Sequence, residues 1–240
     1  MTDLAERSKN EKCQLILGNC LEKIKEIPNN SIDLVLTDSP YGIDFQSVWR
    51  IESKRFQKIQ GDKKVFGDWI PECYRILKNG CAFYMFSRWD VYPKWIELIK
   101  RAGFKVKSLV VWDRVVHGLG DLNGAYAPCY DFCVFSVKGR HLLRHGRPKD
   151  IIRVKRVNAE KLVHPTEKPL TLIEKFLINS SDIGNTVFDP FMGSGTTGVT
   201  ALKLGRRFVG IEINPKYFEI AKQRIEPWLK QQRLGVLQNV

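Results

Sequence analysis

An aspartate, a serine, a proline and a tyrosine stand in a row at Asp38-Ser39-Pro40-Tyr41, with Gly42 after them. Their order suits one demanding task, making an exocyclic ring amine act as a nucleophile. Such a nitrogen shares its lone pair with the ring. It attacks poorly unless its hydrogens are held and the positive charge that develops is balanced. The Asp38 carboxylate and the Ser39 backbone carbonyl could hold those hydrogens from two directions. Pro40 fixes φ and stiffens the turn, and the Tyr41 ring could stack on a base drawn out of a duplex. Taken alone, the four residues are also an ordinary strand-to-loop turn, because Asp, Ser and Pro all favour turns.

A second constellation lies late in the chain. Val187-Phe188-Asp189 is an apolar run closed by an acid. Pro190, Phe191 and Met192 lead from it to Gly193-Ser194-Gly195-Thr196 and Gly198. Val199 to Leu202 reads as the opening of a helix, and Phe208 to Ile211 as a second buried strand with Glu212 at its end. Strand, glycine turn, helix, strand and acid make half of a nucleotide-binding α/β unit, whose ligand sits at the carboxyl ends of parallel strands. The closing acid can accept both hydroxyls of a ribose. Gly193-x-Gly195-x-x-Gly198 also matches the dinucleotide fingerprint, which by itself is a weak signal. Asp189 would repel a pyrophosphate and better suits a cationic amino group. No lysine follows the last glycine, so a phosphate-gripping loop is excluded.

Together, D-S-P-Y followed much later by D-P-F-x-G-S-G-T resembles the β class of amino-directed DNA methyltransferases, in which the catalytic motif precedes the cofactor motif. The resemblance covers most of the chain. It includes Gly18-Asn19-Cys20 ahead of the catalytic strand and His164-Pro165-Thr166-Glu167-Lys168-Pro169 before the cofactor half. It implies a Rossmann-like α/β fold, a mixed seven-stranded sheet with helices on both faces and a circularly permuted motif order. It also implies S-adenosyl-L-methionine as cofactor, double-stranded DNA as partner, and a flipped target base.

By that resemblance Asp38, Ser39, Pro40 and Tyr41 are catalytic. Asn19, Cys20, Asp38, Thr166, Lys168, Asp189, Phe191, Gly193, Ser194, Gly195, Thr196, Glu212 and Ile213 surround the cofactor. Asp189 and Gly193 lie near its methionine part, Thr166 and Lys168 hold its methionine end, and Glu212 takes the ribose. Tyr130 lines the pocket of the flipped base. Two residues depart from the usual pattern: Ser39 replaces the first proline, and Asn19 stands where an Asp is common. The carbonyl at Ser39 survives, and an amide oxygen still accepts a hydrogen bond from an adenine amine. An aspartate opening the motif points to N6 of adenine. Ser39 keeps N4 of cytosine as the alternative, and a DNA-binding protein with a decayed site is the alternative from another class. Such enzymes often dimerise and often accompany a restriction endonuclease.

Rival chemistries fit less well. Protein-glutamine and RNA methyltransferases with a related tetrapeptide carry the opposite motif order. Pro128-Cys129 is reminiscent of the attacking thiol of cytosine-carbon enzymes, but no partner acid accompanies it. His141 and His145 could share a helical face, yet Leu142 stands where a zinc protease needs Glu. No metal site is expected.

The 240 residues carry a formal charge of +13, which calls for a polyanionic partner. Residues 50–64 hold six Lys/Arg against two acids, and residues 138–161 hold nine against two. The first segment, with Arg50, Lys54 and Arg55, reads as a mobile basic loop within residues 42–64. The second, with Arg140, Arg144, Arg147, Arg153, Lys155 and Arg156, reads as a short target-recognition insert of loops or a small hairpin. Its cations would mainly grip phosphates, which position without specifying sequence. The six cysteines show no C-x-x-C pair, which suits a reducing, cytoplasmic setting. Neither a membrane span nor a signal-peptide core is expected.

The elements that must carry these residues are legible as well. Strands are expected at Cys13–Leu17, Ser31–Thr37, Cys81–Phe86, Phe104–Trp112 and Tyr130–Val137, the last two as an antiparallel pair at the sheet edge. Helices are expected at Leu21–Ile27, Trp69–Leu77, Tyr92–Ala102, Pro169–Ile178 and Tyr217–Lys230. Lys78-Asn79-Gly80 is expected to cap the second of them.

Overall fold

The computed structural model describes residues 12–40, 66–117, 123–158 and 167–233. The expected basic loop at 42–64, with Arg50, Lys54 and Arg55, falls outside these residues, as do Tyr41 and Thr166.

The strands are β1 (Cys13–Leu17), β2 (Ile32–Thr37), β3 (Leu77–Ser87), β4 (Lys105–Asp113), β5 (Tyr130–Val137), β6 (Ile151–Arg153), β7 (Thr186–Asp189) and β8 (Arg207–Glu212). The helices are α1 (Cys20–Lys23, continued by a 3-10 turn over Ile24–Glu26), α2 (Ile70–Ile76), α3 (Tyr92–Arg101), α4 (Leu170–Ser180), α5 (Thr196–Lys203) and α6 (Pro215–Arg233). All the strands join one sheet in the order β1-β8-β7-β2-β3-β5-β4-β6. From β1 to β3 neighbours run parallel; β5 opposes β3, β4 opposes β5, and β6 runs parallel to β4.

Strand periodicity divides the core in two. Val35, Phe83, Met85, Phe188, Val209 and Ile211 face α1, α2 and α3, where Cys20, Ile70, Ile76, Trp95 and Ile99 cover them. Leu34, Leu36, Ala82, Tyr84, Phe86, Val187 and Phe208 face the other way, under Leu172, Phe176, Val199, Leu202, Ala221 and Ile225 of α4, α5 and α6. Both faces are buried, so the central strands read as near-continuous apolar runs.

Three expectations change. The sheet has eight strands among the described residues, because Ile151–Arg153 leaves the basic segment and pairs with β4. The β4–β5 pair is antiparallel as expected, but β6 takes the edge position. Lys78-Asn79-Gly80 does not cap α2. Leu77 turns extended and the chain enters β3 at once. Gly80, at φ +81, takes up an irregularity in register between β2 and β3 and donates its N–H to the Lys138 carbonyl at 2.7 Å.

Candidate functional site

Parallel strands end together. The carboxyl ends of β1, β8, β7, β2 and β3 bring Gly18-Asn19-Cys20, Glu212-Ile213, Asp189, Asp38-Ser39-Pro40 and Ser87 to one edge of the sheet. The antiparallel register adds Tyr130 and Asp131 at the start of β5 beside Asp113 at the end of β4. Pairing of β2 with β7 makes neighbours of two turns far apart in sequence. The join is a direct hydrogen bond: Thr37 Oγ1 donates to Asp189 Oδ1 at 2.9 Å.

Asp189 lies deep, at 4% exposure. Besides Thr37, the Phe191 N–H donates to it at 3.1 Å, and the Thr197 side chain adds a further hydrogen bond. Burial still wins over these donors and pushes its carboxyl up to about 7. Its observed partners are therefore protein donors that tie the end of β7 to the end of β2 and the start of α5.

The glycine turn closes on Glu212. Gly193 N–H donates to its Oε2 at 2.9 Å and Asn214 N–H to its Oε1 at 2.8 Å. Burial raises the Glu212 carboxyl, and the backbone N–H groups of Asn214, Gly193 and Ile213 oppose the rise. Each carboxylate oxygen keeps lone-pair capacity for another donor. Gly195 adopts a left-handed φ of +80 at the head of α5, and a Cβ there would lie 2.9 Å from the Ala221 Cβ of α6. Ile213 is 46% exposed beside Glu212. Phe191 packs edge-on against Trp69, with ring centres 5.1 Å apart. Asn19 caps α1 by accepting from Leu21 N–H at 3.0 Å, with Cys20 buried behind it.

On the Asp38 side, Lys168 Nζ donates to Asp38 Oδ2 at 2.5 Å and lies 5.0 Å above the Phe86 ring centre. Ser39 is 2% exposed, and its Oγ finds no partner among the described residues. Asp131 comes within 3.6 Å of Arg114. Its carboxyl is raised by burial, with Lys168, Arg114 and Arg88 pulling down and Asp38 pushing up, so two acids and three cations share one electrostatic neighbourhood. Tyr130 is 41% exposed at the same edge.

Sequence reasoning missed Thr37, Thr197, Asp131 and Arg224. Arg224 holds Ser194 through the guanidinium, turning that hydroxyl toward α6. Asp131 and Arg224 lie outside both motifs, so no local signal marks them; Thr197 stands at a variable position within the glycine run and Thr37 directly before Asp38, where only the paired strands show what they bind.

The basic segment splits. Its start lies beyond the far end of the sheet, at the beginning of β3. There His141 hydrogen-bonds the Gly80 carbonyl at 2.8 Å and the Ser180 hydroxyl at 3.0 Å, and burial lowers its pKa. Arg144 pairs with Asp182 at 3.0 Å. His141 is thus held by protein groups, and the helical face it could share with His145 does not form, since no helix lies between β5 and β6. β6 then carries the chain to the edge that holds Asp38. Arg153, paired with Asp113 at 2.8 Å, stands there and leads to exposed Lys155 and Arg156. Arg147 is exposed between the two groups.

Residues 32–223 match the family described as DNA methylase, of the N6 and N4 type. The chain is 30% identical to DNA adenine methyltransferase YhdJ of Escherichia coli (strain K12), over 90% of this chain and 84% of that protein. It is 28% identical to type II methyltransferase M.HpaI of Haemophilus parainfluenzae, over 89% of this chain and 74% of that one. The solved complex of M1.HpyAVI with SAM superposes with a TM-score of 0.69 at 25% identity, covering 89% of this chain and 98% of the other.

Proposed function

Since the chain belongs to the DNA methylase family of N6 and N4 amino-methyltransferases, we propose that it methylates N6 of an adenine flipped from double-stranded DNA, with S-adenosyl-methionine as donor. One observation carries the reading. The catalytic turn at Asp38 and the glycine turn after Asp189 sit side by side at one sheet edge, joined by the Thr37–Asp189 hydrogen bond of 2.9 Å.

The residues fit the cofactor. Glu212 offers acceptors to a ribose diol, Ile213 and Phe191 offer apolar surface to an adenine, and Lys168 offers a cation to the methionine carboxylate. When bound, the cofactor supplies an electrophilic methyl group on sulfur. Asp38 and the Ser39 carbonyl accept the hydrogens of the target amine and balance the positive charge that develops on nitrogen. Pro40 keeps the two acceptors in a fixed relation. Lys168, now on Asp38, must yield part of that carboxylate to the amine, and the cofactor carboxylate gives its ammonium another partner. Tyr130 at the same edge offers a ring to the extracted base. Positioning and electrostatics do the work, without a covalent intermediate.

The type II name of M.HpaI suits a host system in which a restriction endonuclease accompanies such an enzyme. None of the six cysteines forms a disulfide, which suits a reducing cytoplasm. Among the described residues no helix is long and apolar enough to cross a membrane.

The test is methyl transfer to unmethylated double-stranded DNA, followed by nucleoside analysis of the product. N6-methyladenine is expected. Asp38→Asn should lower transfer by about a hundredfold or more while cofactor binding persists. N4-methylcytosine would keep the mechanism and move the target; no methylated base from protein that binds the cofactor would end the DNA reading.

A further inference from the structure

Arg224 lies on α6, outside every motif in the sequence, yet its guanidinium reaches two segments of the candidate cofactor site. Nη1 donates to the Ser194 carbonyl at 2.9 Å and to its hydroxyl at 2.7 Å. Nη2 donates to Glu167 Oε1 at 2.6 Å. The Arg224 and Glu167 side chains are only 24% and 8% exposed, and Ser194 is 3% exposed. In such a place charge-assisted, forked hydrogen bonds are strong and directional. Ser194 sits between Gly193, whose N–H binds Glu212, and Gly195 with its left-handed φ. Glu167 precedes Lys168, whose ammonium holds Asp38.

We infer that Arg224 is a positioning residue for the cofactor. It fixes the glycine turn against the Glu167-Lys168 dipeptide, so that Glu212 at one end and Lys168 at the other face the same ligand. The inference rests on the methyltransferase reading. It assigns Arg224 no contact with reacting atoms. Arginine is required because one planar fork serves a carbonyl, a hydroxyl and a carboxylate, whereas lysine offers a single point charge. Docking of α6 does not depend on this contact, because Ala221 and Ile225 are fully buried against α5 and the sheet. Loss of the fork should therefore register in cofactor binding before it registers in folding.

The experiment compares the parent with Arg224→Gln, Arg224→Lys and Glu167→Gln. Lys230→Gln serves as a control, breaking the exposed Lys230–Glu226 pair on the same helix. Calorimetric titration with S-adenosyl-methionine and steady-state kinetics on double-stranded DNA give the readouts. Arg224→Gln should raise the cofactor Kd and KM about tenfold, with kcat at saturating cofactor and KM for DNA within about threefold of the parent. Arg224→Lys should fall between, Glu167→Gln should weaken cofactor binding about threefold or more, and Lys230→Gln should match the parent.

A folded Arg224→Gln with a cofactor Kd within about twofold of the parent overturns the inference, as does a fall in kcat with KM unchanged. Should Arg224→Gln not fold, Glu167→Gln decides: unchanged cofactor affinity there overturns the inference equally. A parent that binds no S-adenosyl-methionine overturns the methyltransferase reading and this inference with it. A parent that binds, with both variants unchanged, overturns the inference alone.

Discussion

Asp189 shows how an acid at the end of an apolar strand is held. Its position suggests an acid offered to a cationic ligand, and the fold engages the same carboxylate with Thr37, Thr197 and the Phe191 N–H. Burial makes the neutral acid the favoured folded form and lifts the pKa to about 7. A folded pKa above the unfolded one means stability that is fully present below the unfolded value and lost as pH rises through about 7. Asp189→Asn carries no such charge. Thermal melts between about pH 5 and pH 8 should show the variant gaining on the parent as pH rises, with the gap levelling above that range. A gap that does not change with pH would mean that the three donors satisfy the carboxylate completely. The residues legible in sequence, Asp38, Glu212 and the glycines, are those whose chemistry is written in neighbouring positions. Thr37, Asp131 and Arg224 work across long sequence separations, and only the sheet order brings their partners to them.

At the level of elements, legibility followed burial. β2, β3, β7 and β8 are covered on both faces, and their apolar runs announce them. β6 has three residues, alternately exposed and half-buried, so it carries no period long enough to read. Its existence depends on what β4 offers. Val111 N–H donates to the Asp150 carbonyl at 2.7 Å, Val154 N–H to the Asp113 carbonyl at 3.0 Å, and the Trp112 ring N–H to the Val154 carbonyl at 2.7 Å. The Lys78–Gly80 stretch departs from its expected role for a related reason. Glycine after a helix usually caps it, but here pairing with β2 and the Lys78–Asp33 bond at 2.6 Å draw the chain straight into a strand. If β6 serves to deliver Arg153, Lys155 and Arg156 to the catalytic edge, then Ile152→Pro should release them, because proline removes a donor from the ladder. DNA affinity should fall about fivefold or more at moderate salt, with cofactor affinity unchanged. Equal loss of both affinities would show that β6 supports the sheet as a whole instead.

Across the whole molecule, a formal charge of +13 suits a polyanionic partner, but does not say which side would meet one. Topology answers that. β5 runs opposite to β3, so the chain leaves it at the sheet end remote from Asp38, and eight residues of strand separate the two edges by roughly 25 Å. Arg140 and Arg144 stand at the remote end, Arg144 held by Asp182; Arg153, Lys155 and Arg156 stand at the Asp38 end, where Arg153 binds Asp113, the register partner of exposed Tyr130. The nine cations of residues 138–161, uniform in sequence, are thus not equivalent in space. A duplex that delivers a base to Asp38 must lie over the catalytic edge, where its phosphates meet the second group first. Each phosphate contact adds about 0.9 to the slope of log K against log salt concentration. Replacing Arg153, Lys155 and Arg156 by Gln should therefore flatten that slope by up to about 3, whereas replacing Arg140 and Arg144 should change it by less than about 1. Equal flattening in the two sets would mean that the duplex wraps around the edge strand and reaches both ends of the sheet, which would enlarge the contact surface well beyond the catalytic edge.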